Sequence, residues 1–156
     1  MLLKPLRLVD LLTETNVSTF AGGLRIIPDQ GWVVEGENRL SYTTLTRLIE
    51  CCREYHWRED IQKLSSETDL DSITKSISAS FFHPVLVGNT ILIFYEVKEV
   101  RRKGYLVKFF ITNDEKSIVY AEYSLVFVFY STLLSIVIEP PREVFEKLNL
   151  LLSYSK

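Results

Sequence analysis

Residues 41–55, SYTTLTRLIECCREY, decide the fold, because a helical period here interrupts segments that otherwise alternate like strands. With about 100° between successive residues, Tyr42, Leu48, Ile49 and Cys52 fall within about 60° of Leu45. Most charged residues of the stretch lie on the opposite side. The pattern predicts one long amphipathic helix with a buried side.

The boundaries of this helix are indicated by its flanking residues. Ser41 is suited to the N-cap, because its hydroxyl can accept a hydrogen bond from a free backbone N–H of the first turn. At the other end, the pattern allows the helix to end near Trp57 or to continue to Leu64.

The rest of the chain reads mainly as strands. Four are predicted after the helix, at 72–82, 90–101, 105–112 and 117–130, and two before it, at 24–27 and 31–34, around a turn at 28–30. Helices are also predicted at 5–14 and, after Pro140 and Pro141, at 142–152. The short connections between the later strands indicate an antiparallel sheet.

This order predicts an α+β domain in which the antiparallel sheet wraps around the long central helix. We expect a single domain over 1–156, with an N-terminal extension at 1–22, a core at 24–138 and a C-terminal helix at 140–153. A wrapped sheet leaves a free edge, and such an edge commonly pairs with a second copy of the chain.

Composition narrows the possible functions of the 156-residue chain. Its 18 Lys and Arg against 20 Asp and Glu give a net charge of −2, so we expect no nucleic-acid partner. Cys51 and Cys52 are adjacent, and no further Cys or His cluster lies nearby, so neither a disulfide nor a metal site is expected. The uncharged stretch 124–138 is shorter than the roughly 20 residues of a membrane span. The first residues lack the pattern of a signal peptide, which favours a cytoplasmic location.

Two segments and their spacing resemble a known family. WVVEGEN at 32–38 leads into the helix, and SASFFHPVLVGNT at 78–90 leads into the next strand. With Pro140 and Pro141 after the last strand, their order resembles the hotdog-fold acyl-CoA thioesterases of the 4-hydroxybenzoyl-CoA thioesterase type, over residues 24–152. The family's loop aspartate is absent, and its Gly-His-x-Asn-Asn segment is reduced to residues 36–38.

The resemblance implies a hotdog fold that hydrolyses an acyl-CoA thioester to a free acid and coenzyme A. It implies no resident cofactor, coenzyme A being part of the substrate, and a homodimer or a dimer of dimers. Two alternatives stay open: a non-catalytic module that binds acyl-CoA or a fatty acyl group, and a hotdog dehydratase. The dehydratase is less favoured, because the chain lacks the Asp and His pair that its chemistry needs.

Thioester hydrolysis requires a carboxylate that attacks the carbonyl or activates water. Glu35 is the first candidate, because it falls where the family's loop acid lies, and Glu37 is its substitute. Glu50 falls in mid-helix, like the glutamate of related thioesterases of the fluoroacetyl-CoA type, although a surface ion pair explains it equally well. His83, at a strand end, is a candidate for orienting water or transferring a proton.

The remaining site predictions concern anionic groups of the substrate. The helix N-terminus, around Ser41, Tyr42 and Thr43, offers free N–H groups to the oxyanion of the reaction. The basic turn Arg101, Arg102 and Lys103 is a candidate for the phosphates of coenzyme A. Strand phenylalanines are expected mainly in the core, and lining of an acyl pocket is the second reading; they are Phe81, Phe82, Phe94, Phe109, Phe127 and Phe129.

Overall fold

The computed structural model describes residues 7–33, 36–64 and 69–154. The helices are α1 Leu8–Leu11, α2 Tyr42–His56 and α3 Arg142–Tyr154, and the strands are β1 Val17–Phe20, β2 Gly23–Ile26, β3 Leu70–Phe81, β4 Ile91–Arg101, β5 Gly104–Asn113, β6 Val119–Ser131 and β7 Ile136–Val137. No helix within these ranges is long and apolar enough to cross a membrane.

The strands form one antiparallel sheet in the order β1-β2-β4-β5-β6-β3, and the short β7 pairs with the end of β6. Side chains alternate between its two faces. On the inner face, Val107 of β5 lies opposite Leu125 of β6, and both are fully buried. Helix α2 lies on this face, where the Cys52 thiol donates to the Ile93 carbonyl over 3.6 Å. The predicted α+β architecture, a sheet wrapped around a central helix, is confirmed.

Helix α2 begins and ends as its sequence predicts. The Ser41 hydroxyl accepts from the backbone N–H of Thr44 at 3.2 Å and caps the first turn. After His56 the chain continues through a π-helical turn, Trp57–Ile61, and a 3-10 turn, Gln62–Leu64. Both predicted end points are therefore real boundaries, the first of the α-helix and the second of its irregular continuation.

Two local predictions differ from the structure. The strand expected at 31–34 is wrong for residues 31–33, because Gln30–Trp32 forms a 3-10 helix and Val33 follows it as a bend; the last residue of the range lies outside the described residues. Its cause is local: the Asp29 carboxylate accepts from the Gly31 N–H at 2.8 Å and closes a tight turn. In addition, β1 pairs with β2, so part of the predicted N-terminal extension joins the sheet.

Helix α3 follows Pro140 and Pro141 as expected and packs against β4 and the π-helical turn. Val144 and Leu148 are fully buried there. Phe145, next to Val144 in the same helix, is 39% exposed. Among the predicted core phenylalanines, Phe109, Phe127 and Phe129 are buried, Phe94 is half-buried, and Phe81 and Phe82 lie at the surface.

A buried polar network ties the end of α2 to the sheet. His56, 1% exposed, has its Nδ1 2.8 Å from the Asp60 carboxylate and its Nε2 3.0 Å from the Tyr105 hydroxyl. The Tyr95 hydroxyl donates to the same Asp60 oxygen. Burial raises the pKa of both tyrosines, so their phenols stay protonated and donate. Burial alone would raise the pKa of Asp60, but the hydrogen bonds from His56 and Tyr95 hold that pKa below its usual value.

This network predicts an acid-sensitive stability. Because the pKa of Asp60 is lower in the folded than in the unfolded chain, its contribution is complete above about pH 4 and is lost as the pH falls through the folded-state pKa. We expect Asp60→Asn to lower the unfolding free energy at pH 7 by about 1–3 kcal/mol and to flatten its acid limb. Urea titrations from about pH 3 to about pH 7 measure the unfolding free energy at neutral pH and its decrease in acid.

Asp114→Asn is the matched control, since Asp114 pairs with Arg25 at the surface and exposed pairs contribute only about 0–1 kcal/mol. An equal effect of the two substitutions would contradict a special role for the network.

A glycine in β5 lies against the backbone of the neighbouring strand β6. A Cβ built on Gly104 would lie 2.2 Å from the Phe127 carbonyl oxygen of β6, which is backbone and cannot rotate away. We expect Gly104→Ala to cost about 1–3 kcal/mol of unfolding free energy, as overpacking does. In the control Gly31→Ala, the new Cβ meets only the Asp29 carboxylate tip, at 3.0 Å. Thermal and urea unfolding of the pair measure the difference, and equal midpoints would contradict the steric argument.

Candidate functional site

The two loops that the sequence singled out lie against each other. The Leu40 N–H donates to the Val85 carbonyl at 2.9 Å, and the Val87 N–H donates to the Asn38 carbonyl at 2.8 Å. The turn is closed by Gly88, whose φ of +88° lies in the left-handed region that favours glycine. The segment before α2 and the segment after β3 therefore form one continuous structure at the N-terminal end of α2.

A cavity of about 430 Å³ opens between these loops and the first turn of α2. Its walls combine an apolar surface with three ionisable side chains, from Glu37, Arg39 and His83. The other lining residues are Leu40, Ser41, Tyr42, Leu45, Phe81, Phe82, Pro84 and Val85. A mostly apolar pocket with a few polar groups is typical of a site for a small organic ligand.

The first turn of α2 supplies hydrogen-bond donors to this end of the molecule. Intrahelical bonding begins with the Leu45 N–H, which donates to the Ser41 carbonyl at 3.0 Å, and the Thr44 N–H is taken by the Ser41 hydroxyl. The N–H groups of Tyr42 and Thr43 precede these and have no partner within the helix. With the helix dipole behind them, they form a local site for negative charge.

Aromatic side chains form the wall on the β3 side. The rings of Tyr42 and Phe81 lie 4.2 Å apart, and Phe81 meets the edge of Tyr123 at 5.8 Å. The backbone N–H groups of Phe82 and His83 both donate to the Tyr120 carbonyl, at 2.8 and 3.2 Å. This shared acceptor ends the strand pairing and turns the chain from β3 into the cavity wall.

Several predicted site residues share this cavity. Glu37, Ser41, Tyr42 and His83 all line it. Thr43 is in the same first turn of α2 but is not a lining residue, and Ser41 acts through its cap rather than as a free donor. The first candidate acid, Glu35, lies outside the described residues, so its role stays a prediction.

Glu50 and the basic turn lie elsewhere in the protomer. Glu50 is exposed on α2, two helical turns beyond Tyr42, on the flank where the Thr46 hydroxyl meets that of Tyr123 at 2.8 Å. Arg101 pairs with Glu99 and Arg102 with Glu139, both at 2.8 Å, and the Lys103 carbonyl accepts from Phe129 near the end of β6. Neither Glu50 nor the basic turn lines the cavity of its own chain. Their roles in the reaction stay predictions.

Sequence reasoning missed Arg39 and misassigned two aromatic residues. Arg39, three residues before α2 begins, contributes the cavity's cation. Phe81 and Phe82 were expected mainly in the core, yet they are 37% and 53% exposed and line the cavity. The signal for Arg39 was available in its position beside a helix N-terminus, whereas the exposure of the phenylalanines depends on where the sheet ends.

A second cavity, of about 540 Å³, lies between the β1–β2 turn, β4 and α3. Among the residues that the sequence singled out, it contains only Phe94, one of the strand phenylalanines. Its carboxylate and phenol at Asp60 and Tyr95 are already bonded to each other in the buried network. The larger cavity is therefore a weaker candidate for chemistry than the one at the helix N-terminus. Within residues 7–33, 36–64 and 69–154, no group of three His, Cys, Asp or Glu side chains is arranged to hold a metal ion.

Solved structures resemble this architecture along most of the chain. The probable thioesterase YbaW from Escherichia coli is 13% identical, with a TM-score of 0.69 over 84% of this chain and 98% of that chain. Slr0204, a 1,4-dihydroxy-2-naphthoyl-CoA thioesterase from Synechocystis, is 12% identical, with a TM-score of 0.67 over 82% and 95% of the two chains.

The fold is a hotdog fold. The SAV2348 protein from Staphylococcus aureus, solved in complex with CoA, is a third similar structure, 7% identical with a TM-score of 0.71 over 85% of this chain and 83% of that chain. No protein-family model matches the sequence, and no curated protein is similar to it in sequence. The similarity to these structures therefore establishes the hotdog fold, and at such low sequence identities it does not establish an activity.

Proposed function

We propose that this hotdog protein hydrolyses acyl-CoA thioesters, with the reaction at the N-terminus of α2. The single observation that carries the proposal is the cavity at that terminus, which combines free backbone donors, a carboxylate and an imidazole with apolar walls. Two similar structures are a probable thioesterase and a 1,4-dihydroxy-2-naphthoyl-CoA thioesterase, and a third was solved with CoA. Their chemistry is consistent with this donor set.

The proposed reaction uses the helix N-terminus as its oxyanion site. The thioester carbonyl oxygen accepts hydrogen bonds from the N–H groups of Tyr42 and Thr43. A carboxylate removes a proton from water, and the hydroxide attacks the carbonyl carbon to give a tetrahedral oxyanion. The C–S bond then breaks, and the coenzyme A thiolate leaves and takes up a proton. The products are a free acid and coenzyme A, with no resident cofactor required.

Glu37 is our first assignment for the carboxylate, because it lines the cavity together with His83. His83, beside the same volume, is assigned to orient the attacking water. Glu35 and Glu50 remain alternatives, Glu35 by its place in the loop and Glu50 by its place on the exposed flank of α2. For Glu50 to act, it must reach the cavity of a second copy.

The walls also suggest the substrate class. Phe81, Phe82 and Leu45 offer an apolar surface to an acyl group, and Arg39 offers a cation at the rim to an anionic part of coenzyme A. The basic turn at 101–103 is a second candidate for the phosphates, provided that a partner brings it to the cavity.

We further propose that the protein is a dimer formed through β3. No strand among the described residues pairs with the outer edge of this 12-residue strand, so its backbone groups are available to a second chain. Two of its isoleucines are exposed, Ile73 at 43% and Ile77 at 49%, one on each face of the sheet. A two-fold axis would join two β3 strands antiparallel, cover these side chains in both copies and extend the sheet across the dimer.

The catalytic proposal predicts loss of thiol release when the acid is neutralised. We expect wild type to release coenzyme A from one class among short, long and aromatic acyl-CoAs, and Glu37→Gln to lower kcat by about 10²–10⁴-fold, as removal of a general base does. Glu35→Gln and Glu50→Gln, measured in parallel, test the two alternative acids. A thiol-reactive dye follows the reaction.

Glu143→Gln, in the first turn of α3, is the matched control and should leave kcat unchanged. A loss confined to Glu35→Gln or Glu50→Gln would keep the activity and move the acid. Absence of turnover with every substrate, together with stabilisation by acyl-CoA, would overturn the thioesterase proposal in favour of a binding module.

The dimer proposal predicts that a charged side chain introduced on β3 lowers the molecular mass of the protein in solution from dimer to monomer. Ile77→Lys buries an ammonium group in the proposed interface, so we expect the dimer to dissociate in light scattering at micromolar concentration. Ile118→Lys, at a residue 43% exposed before β6 begins, is the control that should stay dimeric. A monomeric wild type, or a dimeric Ile77→Lys protein, would argue against β3 as the interface.

A further inference from the structure

The hairpin tip between β6 and β7, residues 132–137, is not covered by any other part of the described chain. Leu133 is 78% exposed, Leu134 62%, Ile136 53% and Val137 41%. Four large apolar side chains within five residues form a continuous patch, unlike isolated exposed apolar residues, which are ordinary. A surface of this kind needs a partner.

The hairpin tip is held in a defined place. The Thr132 N–H donates to the Asp69 carbonyl at 2.8 Å, and the Ser131 hydroxyl donates to the Asp69 carboxylate at 2.9 Å. That same hydroxyl accepts from the Leu134 N–H at 3.0 Å. These bonds fix the tip beside the first residue of β3, at the far end of the strand from Phe81.

We propose that the hairpin tip of one copy covers the cavity of its partner and forms the distal wall of the acyl site. The inference rests on the proposed function and its β3 dimer. In an antiparallel two-fold pairing, the start of one β3 lies beside the end of the other. The tip is attached to the start, and the cavity residues Phe81, Phe82 and His83 follow at the end.

The two surfaces are matched in chemistry as well as position. On the cavity side, Tyr42 is 65% and Phe82 53% exposed, so each protomer carries an uncovered apolar patch at both ends of β3. The two patches lie at opposite ends of β3, and a two-fold pairing places the tip of one copy on the cavity of the other. One dimer therefore contains two equivalent contacts, each between the tip of one copy and the cavity of the other, as two-fold symmetry requires.

A membrane surface is the other occupant that an apolar tip could suggest, and the same geometry disfavours it. In the two-fold pairing, a partner's cavity lies beside each tip, where the partner's β3 ends. No described strand pairs with the outer edge of β3, and the tip adjoins the start of that strand, so the surface that joins the two copies continues onto the tip. We therefore commit to the second copy of the chain as the occupant.

Cross-linking tests the placement without relying on activity. In one chain, Leu134 and Phe82 are separated by the length of β3, roughly 36 Å at about 3.3 Å per residue, so a short link between them can form only between copies. We expect Leu134→Cys combined with Phe82→Cys to give a covalent dimer with a short bis-maleimide. Each single variant should give none, because like positions lie at opposite ends of the dimer.

The native cysteines do not interfere with this test. Cys51 is 2% exposed and Cys52 is fully buried, and burial raises the pKa of the Cys51 thiol to about 12. Absence of a covalent dimer from the double variant, in a protein that light scattering shows to be dimeric, would overturn the proposal.

Substrate selectivity tests the role. With the dimer intact, we expect the double substitution Leu133→Ser and Leu134→Ser to raise KM for long-chain acyl-CoAs roughly tenfold, because apolar contact with the acyl chain is lost. KM for acetyl-CoA should not change. Leu150→Ser, at a residue 47% exposed on α3, is the control. An unchanged KM at every chain length would overturn the acyl-wall role.

The outcomes separate this inference from the proposed function. Wild-type protein without turnover would contradict the thioesterase proposal, while cross-linking would still decide where the tip lies. Binding of the wild type, but not of the double serine variant, to vesicles of anionic phospholipid would overturn the proposal in favour of a membrane contact.

Discussion

One helix cannot cover the whole inner face of this sheet, and much else in the structure depends on that constraint. A helix is about 10 Å across, and strands lie about 4.8 Å apart, so α2 covers two or three strands. Over β5 and β6 the inner side chains, such as Val107 and Leu125, are fully buried. At β3 the same face leaves Ile77 49% and Phe81 37% exposed. The sheet ends one strand beyond its cover.

The two ends of α2 differ in how their polar groups are hydrogen-bonded. At its C-terminal end, His56 joins the Asp60 carboxylate to the Tyr105 phenol, and every partner in this chain of bonds is satisfied. A satisfied buried network fixes the helix against the sheet. At its N-terminal end, Ser41 caps a single N–H, that of Thr44, and the preceding N–H groups have no partner within the helix. Because the C-terminal end fixes the helix, the first N–H groups of α2 are held in place without intrahelical hydrogen-bond partners.

The sequence predicted those parts that depend on local pattern. The period of residues 41–55 and the cap at Ser41 gave α2, and short turns between alternating segments gave the antiparallel sheet. The segments at 32–38 and 78–90 were singled out by resemblance, and backbone hydrogen bonds join their neighbourhoods at residues 38–40 and 85–87. The failure at Gly31 has a local cause too, since a single carboxylate hydrogen bond from Asp29 outweighed the apolar alternation.

What the sequence could not give are properties of the sheet as a whole. An alternating strand looks the same whether its inner row is covered or not, so Phe81 at the sheet edge reads like the buried Phe129. Likewise, β1 has only four residues with the burial pattern of a surface ribbon, and it is a strand because β2 is there to pair with it. Arg39 acquires significance only when the helix terminus beside it is seen to border a cavity.

Three features of the protomer take no part in its own cavity: the exposed Glu50, the basic turn at 101–103 and the apolar hairpin tip. Glu50 lies on the flank of α2 where Thr46 contacts Tyr123 of β6, and the other two lie where β6 ends, beside the start of β3. All three are distant from the cavity of their own chain, which opens where β3 ends. In the dimer proposed above, the antiparallel pairing of two β3 strands exchanges start for end, and it would direct the three features toward the cavity of the other chain. A single geometric relation thus accounts for an uncovered edge, an isolated acid, a remote cationic turn and an unburied hairpin. Four separate explanations would be needed for a protein that acts as a monomer.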